Sequence, residues 1–400
     1  CKDLYEAEIS ITTPKGELID KLHLLIKSKE RKVELYHEKS SSAKLGESRL
    51  KSWSKWILHE FRIRNKMCNA YFRFKLLRLS EDGKGVHVYF SQIYPANNFT
   101  YPEELSKELV KVCGPYLQTP TRQQVALCGA CDVYTFIEEL EYLGEWYVNA
   151  MKYLLKTKEW NLFYIKLHSS DFLNHLCAYM IDNRHPLFDP DRMEEGIALW
   201  NRALKPINKM IEIALSEIGD DGIIAVVSDH GSKLMHPYYI FSTVTAGKVS
   251  INALAKEGLV VKDEKCKVDW SKSKVRPGTF GYLISVKGRD PNGIVDPEKY
   301  EDIRIKLIEV LRELRNPITG GHLFKLVCRR EDAEALGFGG PRAADVFVWP
   351  NYGDDAEITY DKITMRDYAK MGIDSIGTWE WPAIIPSGAH DPIAMFIIKG

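Results

Sequence analysis

Asp229 and His230 are the adjacent side chains best placed to do chemistry. They close the apolar run Ile223 to Val227, after Ser228 and before Gly231. A carboxylate beside an imidazole suits zinc and other borderline divalent ions. At the carboxyl end of a strand, the pair would stand where open α/β sheets bind their ligands. The competing reading is a strand, a capping Asp and a turn Gly. A second pair, Asp171 and His175, follows the apolar stretch Leu162 to Leu167. If the turn there opens a helix, four-residue spacing puts both on one face, within reach of one ion. The alternative makes Asp171 a helix N-cap and His175 an ordinary first-turn residue. A third element is His390, which follows the small residues Gly388 and Ala389 and precedes a closing apolar run. His322, after Gly320 and Gly321, competes with it. His390 is preferred, because His322 leads into an alternating and then charged stretch of the kind found in half-exposed strands.

Together and in this order, these elements resemble the type I phosphodiesterase and nucleotide pyrophosphatase branch of the alkaline phosphatase superfamily. The segments 268–275, 281–300 and 343–348 are similar to those that follow the Ser-Asp-His-Gly turn in microbial, especially archaeal, members. The likeness covers the chain from about residue 95 onward, and 46–57 matches more loosely. It implies an α/β fold: an alkaline-phosphatase-like, mostly parallel sheet covered by helices on both faces. It also implies two divalent metal ions, zinc with manganese as the alternative. Asp171, His175 and His390 would hold one, and Asp229 and His230 the other. The implied reaction is metal-dependent hydrolysis of phosphoric diesters or nucleotide pyrophosphate bonds, by in-line displacement at phosphorus. In the family a hydroxyl attacks first, and water then cleaves the phospho-enzyme ester.

The chain departs from the family pattern in one respect. The first strand ending in Asp-Gly, and the Thr or Ser nucleophile after it, have no counterpart here. Thr12, Thr13, Thr119 and Thr121 are the hydroxyls in plausible turns, but none follows an apolar strand with the right neighbours, so no catalytic residue is assigned. That segment is expected upstream of Cys1 or on another polypeptide. His168, His185 and His236 lie near the ligand turns and are read as structural.

The elements that must position these residues follow from periodicity. Residues 1–115 alternate in short stretches, Ala7 to Thr12, Phe72 to Leu77 and Val86 to Phe90, and predict an accessory β-rich region with a hairpin turn at Glu81 to Gly85. Apolar residues at helical spacing over 134–157 and 193–218 each feed an apolar strand, the rhythm of a parallel sheet covered by helices. This assigns 116–260 to the first part of the core, 261–345 to a small α+β insertion and 346–400 to the C-terminal part of the core.

Composition sets outer bounds. The 400 residues carry 55 Lys plus Arg against 55 Asp plus Glu, so no net field favours a nucleic-acid polymer or an anionic membrane. The basic stretch Lys51 to Lys66 is read as a solvated helix face. Eight cysteines, at 1, 68, 113, 128, 131, 177, 266 and 328, make no disulfide framework for a chain of this length, which favours a cytoplasmic protein. Cys128 and Cys131 form a lone C-x-x-C. The expected partner is a small phosphorylated or nucleotide-like substrate, with no membrane and an unassigned oligomer. Two alternatives stay open: a phosphomutase or phosphonate hydrolase on the same metal pair, and a non-catalytic metal-binding fragment or paralogue lacking the nucleophile.

Overall fold

The computed structural model describes residues 4–12, 17–39, 44–63, 66–118, 130–185, 187–219, 222–234, 249–315, 320–351, 388–391 and 393–400. Alternating sequence builds its first layer. Strands β1 (Leu4–Thr12), β2 (Leu18–Lys27), β3 (Lys32–Tyr36) and β4 (Lys44–Arg49) form an antiparallel meander. Period-2 alternation turns Leu22, Leu24 and Ile26 of β2, and Val33 and Leu35 of β3, into one buried face. That face packs on Ile57 and Phe61 of β5 (Ile57–Ile63), Phe72 of β6 (Lys66–Phe72) and Phe74 of β7 (Phe74–Leu79). β7 pairs with β8 (Val86–Phe90), and their connection turns at Gly83, whose positive φ of 72° glycine adopts without strain. β9 (Tyr94–Pro95) adds to β6. The basic stretch near Lys51 is therefore strand and loop, not a helix face; Lys51 Nζ pairs with Asp132 at 2.7 Å.

Helices carry the second layer: α1 (Glu104–Cys113), α2 (Val133–Thr157), α3 (Ser169–Cys177) and α4 (Met193–Glu217). Asp132 caps α2 by accepting a hydrogen bond from the Thr135 N–H at 2.9 Å. α2 and α4 approach closely at Gly144, where an added Cβ would lie 2.5 Å from Pro206 Cγ. A core of Phe136, Ile137 and Leu140 from α2, Leu173 and Leu176 from α3 and Leu199 and Ala203 from α4 locks the three together, with Leu77 and Tyr89 of the strands against it.

The expected parallel sheet does not form. Residues 162–167 are extended and lay Phe163, Ile165 and Leu167 on Val148, Met151 and Met210, but they belong to no strand ladder. β10 (Ile224–Val227) pairs antiparallel with β17 (Phe396–Lys399), and β11 (Gly231–Leu234) pairs antiparallel with β16 (Gly388–Asp391). Every ladder between the described strands is antiparallel, and the sheets hold two to four strands each. The physical reason is the lack of a neighbour. Apolar alternation lets one face of each strand rest on helices, but a parallel sheet also needs adjacent strands to receive the backbone hydrogen bonds. Among the described residues none lies beside 162–167, and the outward side chains Leu162 (85 % exposed), Tyr164 (76 %) and Phe396 (68 %) stay in solvent.

By contact density the chain divides into two units, Cys1–Leu234 with Ile373–Gly400, and Met235–Gly372. The second holds a four-stranded antiparallel sheet in the order β12 (Val275–Gly278), β13 (Gly281–Ile284), β15 (Val346–Pro350), β14 (Phe324–Arg329). Helix α5 (249–256) and α6 (Tyr300–Glu313) contribute Leu254, Leu307 and Leu311 to its core, and α7 (Arg330–Glu334) follows β14. Gly281 permits the β13–β15 approach, since a Cβ there would sit 2.0 Å from the Val346 carbonyl oxygen. Asp345, fully buried, accepts two hydrogen bonds from Arg289, at 2.7 and 2.8 Å, and one from the Ile284 N–H at 2.7 Å. Residues 261–345 fall inside this unit, and so does β15, which the expected boundary at 346 assigns to the other part of the chain. No helix among the described residues is long and apolar enough to cross a membrane.

Candidate metal centre

α3 begins after His168, which occupies the N-cap position without a side-chain cap bond. Asp171 is therefore a first-turn residue and not the cap. Leu173, Leu176 and Cys177 bury one side of the helix, and the i, i+4 relation leaves Asp171 and His175 together on another. His390 arrives from the far end of the chain. The β11–β16 ladder places it opposite Ser232, three residues beyond Asp229, and Ser228 fixes the preceding turn by donating its N–H to the Met395 carbonyl at 2.9 Å.

Asp171, His175 and His390 converge so that one ligand atom from each lies within 4.8 Å of the others. His175 Nε2 and His390 Nε2 stand 2.8 Å apart, and each is 3.2 Å from Asp171 Oδ1. His230 joins from the β10–β11 turn, its Nε2 3.7 Å from the same oxygen and its ring stacked on His390 at 3.6 Å between centroids. His230 Nδ1 lies 2.9 Å from the Gly231 carbonyl, which makes that nitrogen an N–H donor and turns Nε2 toward Asp171. Three imidazole nitrogens thus surround the buried Asp171 Oδ1 at 3.2 to 3.7 Å. Burial pushes the Asp171 carboxyl up, and the imidazoles of His175, His390 and His230 outweigh it and hold the group below its ordinary value. Burial, aided by His230 and His175, pushes His390 down against the pull of Asp171, which favours the neutral imidazole that binds metals.

Asp229 is set apart. Its side chain is 64 % exposed and pairs with Lys166 at 3.3 Å, while its Oδ1 lies 3.6 Å from His230 Nε2. Burial acts first on this carboxyl and raises it, but its own backbone N–H and Lys166 hold it below the usual range. Among the described residues, no group of three ligand atoms includes Asp229 or His230.

The chain matches no protein-family model, no curated protein and no solved structure.

The remaining candidates from the sequence fall elsewhere or outside the described residues. His322 lies in the second unit, with Nδ1 3.0 Å from the Arg312 carbonyl. His185 is buried and accepts the Leu187 N–H on Nδ1 at 3.1 Å, a structural role. Cys131 belongs to the helical core. Thr12 ends β1. Thr13, Thr119, Thr121, Cys128 and His236 lie outside the described residues. Lys166 is the residue at this rim that motif reasoning passes over. Its signal is positional: a cation inside an apolar run, two residues before the His168 that precedes α3.

Proposed function

We propose that Asp171, His175 and His390, with His230 beside them, hold a divalent ion of the zinc class, and that the chain is a metal-dependent hydrolase of phosphoric diesters or nucleotide pyrophosphate bonds. The observation that carries this reading is the buried Asp171 oxygen, which three imidazoles from three separate segments face at 3.2 to 3.7 Å. His nitrogens gathered around one buried carboxylate oxygen fit a shared cation. Once bound there, the ion would supply positive charge to polarise a phosphoryl oxygen and bring a water toward attack.

The chain's own residues add three things. The Asp171 carboxyl is held below its ordinary value and burial pushes the His390 imidazole down, directions that favour the carboxylate and neutral imidazole of a zinc site. Lys166, half-exposed beside Asp229, presents a second positive charge on the same rim, suited to a phosphate or nucleotide-like anion. Asp229 keeps Lys166 oriented and leaves its other oxygen toward His230. The resemblance to type I phosphodiesterases supports the reaction class, and the scattered cysteines of the sequence, which make no disulfide framework, support a cytoplasmic setting.

A second reading, a metal-binding module without turnover, is favoured by the Asp229 and His230 pair, which closes no second three-ligand group among the described residues. Hydrolysis of bis(p-nitrophenyl) phosphate by the chain, with zinc or manganese supplied, separates the two. The hydrolase reading expects chelator-sensitive turnover that His390→Ala lowers by about 10²-fold or more. Tight metal binding with no turnover would support the module. Turnover that ignores both chelator and His390→Ala would overturn the assignment of the centre.

A further inference from the structure

The β layer carries a second meeting of ligand side chains, far along the chain from the first. Asp20 of β2, His59 of β5 and His37, just past the end of β3, bring one ligand atom each to within 4.8 Å of one another. His59 Nε2 lies 2.8 Å from Asp20 Oδ2, and His37 Nε2 lies 3.8 Å from Asp20 Oδ1. The two rings meet edge to face at 5.0 Å between centroids and 61° between planes.

Two of the three positions are unexpected for polar residues. Asp20 shares the parity of Leu22, Leu24 and Ile26, and His59 that of Ile57 and Phe61, so each occupies a core-face position where alternation calls for an apolar residue. His37 follows the register shift at the end of β3 and stands exposed at the rim. Asp20 Oδ2 pairs with His59, and Asp20 Oδ1 accepts the Lys21 N–H at 2.8 Å, but neither bond accounts for the approach of His37 to the same carboxylate. One cation would draw all three ligand groups to one point.

We propose that Asp20, His37 and His59 form a second divalent-metal site, independent of the Asp171 centre, that takes a zinc-class ion and ties β2, β5 and the segment after β3. Two imidazoles and one carboxylate are three protein ligands of the types zinc prefers. His37, with a side chain 47 % exposed, stands on the solvent side, so a fourth position is open to water or to an exogenous donor. His59 and Asp20 are mostly covered, so the ion would enter past His37.

The test uses the full chain carrying His390→Ala, which weakens the first centre and leaves this one intact. After chelator treatment, cobalt(II) is titrated and followed by its visible absorption and by calorimetry. The inference expects one equivalent bound with an absorption typical of mixed nitrogen and oxygen ligands, and affinity lowered about 100-fold when His37→Ala is added. His37 is half-exposed and follows the last residue of β3, so its removal should leave the circular dichroism spectrum unchanged; Asp20→Asn serves as an independent check. A His390→Ala chain that binds no cobalt, or one whose binding is the same with and without His37, would overturn the proposal. Neither result bears on the Asp171 centre, which is read separately in the chain with native His390.

Discussion

Replacing His390 by Ala should separate metal affinity from fold stability. The His390 side chain is 51 % exposed and sits on a four-residue strand, so its loss removes little buried area and should change the stability of the metal-free chain by under about 0.5 kcal/mol. Its loss to the centre is larger. Structural zinc sites bind with roughly 10–16 kcal/mol over four ligands, or about 3 kcal/mol per ligand, which is about a hundredfold in affinity. At a zinc concentration about 100 times the dissociation constant of the native centre, linkage stabilises the folded chain by about 2.7 kcal/mol. With affinity a hundredfold weaker, the same concentration equals the dissociation constant and stabilises by only about 0.4 kcal/mol. Urea unfolding of both chains, each also carrying His37→Ala to remove the second proposed site, with and without zinc, reads all four free energies. Equal zinc stabilisation of the two would refute the role of His390, and a large loss of stability in the metal-free variant would show that its main role is in the fold.

Two other positions give predictions that concern the frame of the centre. Gly144→Ala should destabilise the chain by about 1–3 kcal/mol in chemical denaturation, because the new methyl would meet Pro206 Cγ at 2.5 Å and Cβ at 2.7 Å, which outweighs about 1 kcal/mol of improved helix propensity; a stabilised variant would mean that α2 and α4 are further apart in solution. Burial pushes the His185 imidazole down from 6.5 to about 4. The unfolded chain therefore takes up this proton first, so the stability from a neutral His185 is fully present above pH 6.5 and is lost as pH falls from 6.5 toward 4. The loss totals about 3 kcal/mol. His185→Asn should flatten that part of the stability profile, and an unchanged slope would place the titration elsewhere.

What is legible in the sequence depends on how local each signal is. The Asp171 and His175 pair is readable because helical spacing alone brings i and i+4 together. His390, 215 residues beyond His175, stands out only by residue type and small neighbours, since no periodicity links such distant positions. The two long helices and the β-rich first part follow from apolar spacing of 3.6 and 2. The parallel sheet does not form, because Leu162 to Leu167 and Ile223 to Val227 encode which face is apolar but not which strand lies alongside. His230 groups with Asp229 in the sequence, yet its ring stacks on His390 and faces Asp171, a geometry set by the break between β10 and β11. Asp20, His37 and His59 escape motif reading because they lie on separate segments that no common spacing links. The core-face parity of Asp20 and His59 is visible in the sequence, but its meaning needs the strand order.

The central claim is that the Asp171 carboxylate and the imidazoles of His175 and His390 share one ion. Crystals of the zinc-loaded chain, measured on both sides of the zinc absorption edge, test it most directly. An anomalous peak is expected about 2.0–2.2 Å from His175 Nε2, His390 Nε2 and an Asp171 oxygen together. A well-ordered centre with those three groups in contact only with one another, and no anomalous peak among them at saturating zinc, would contradict it.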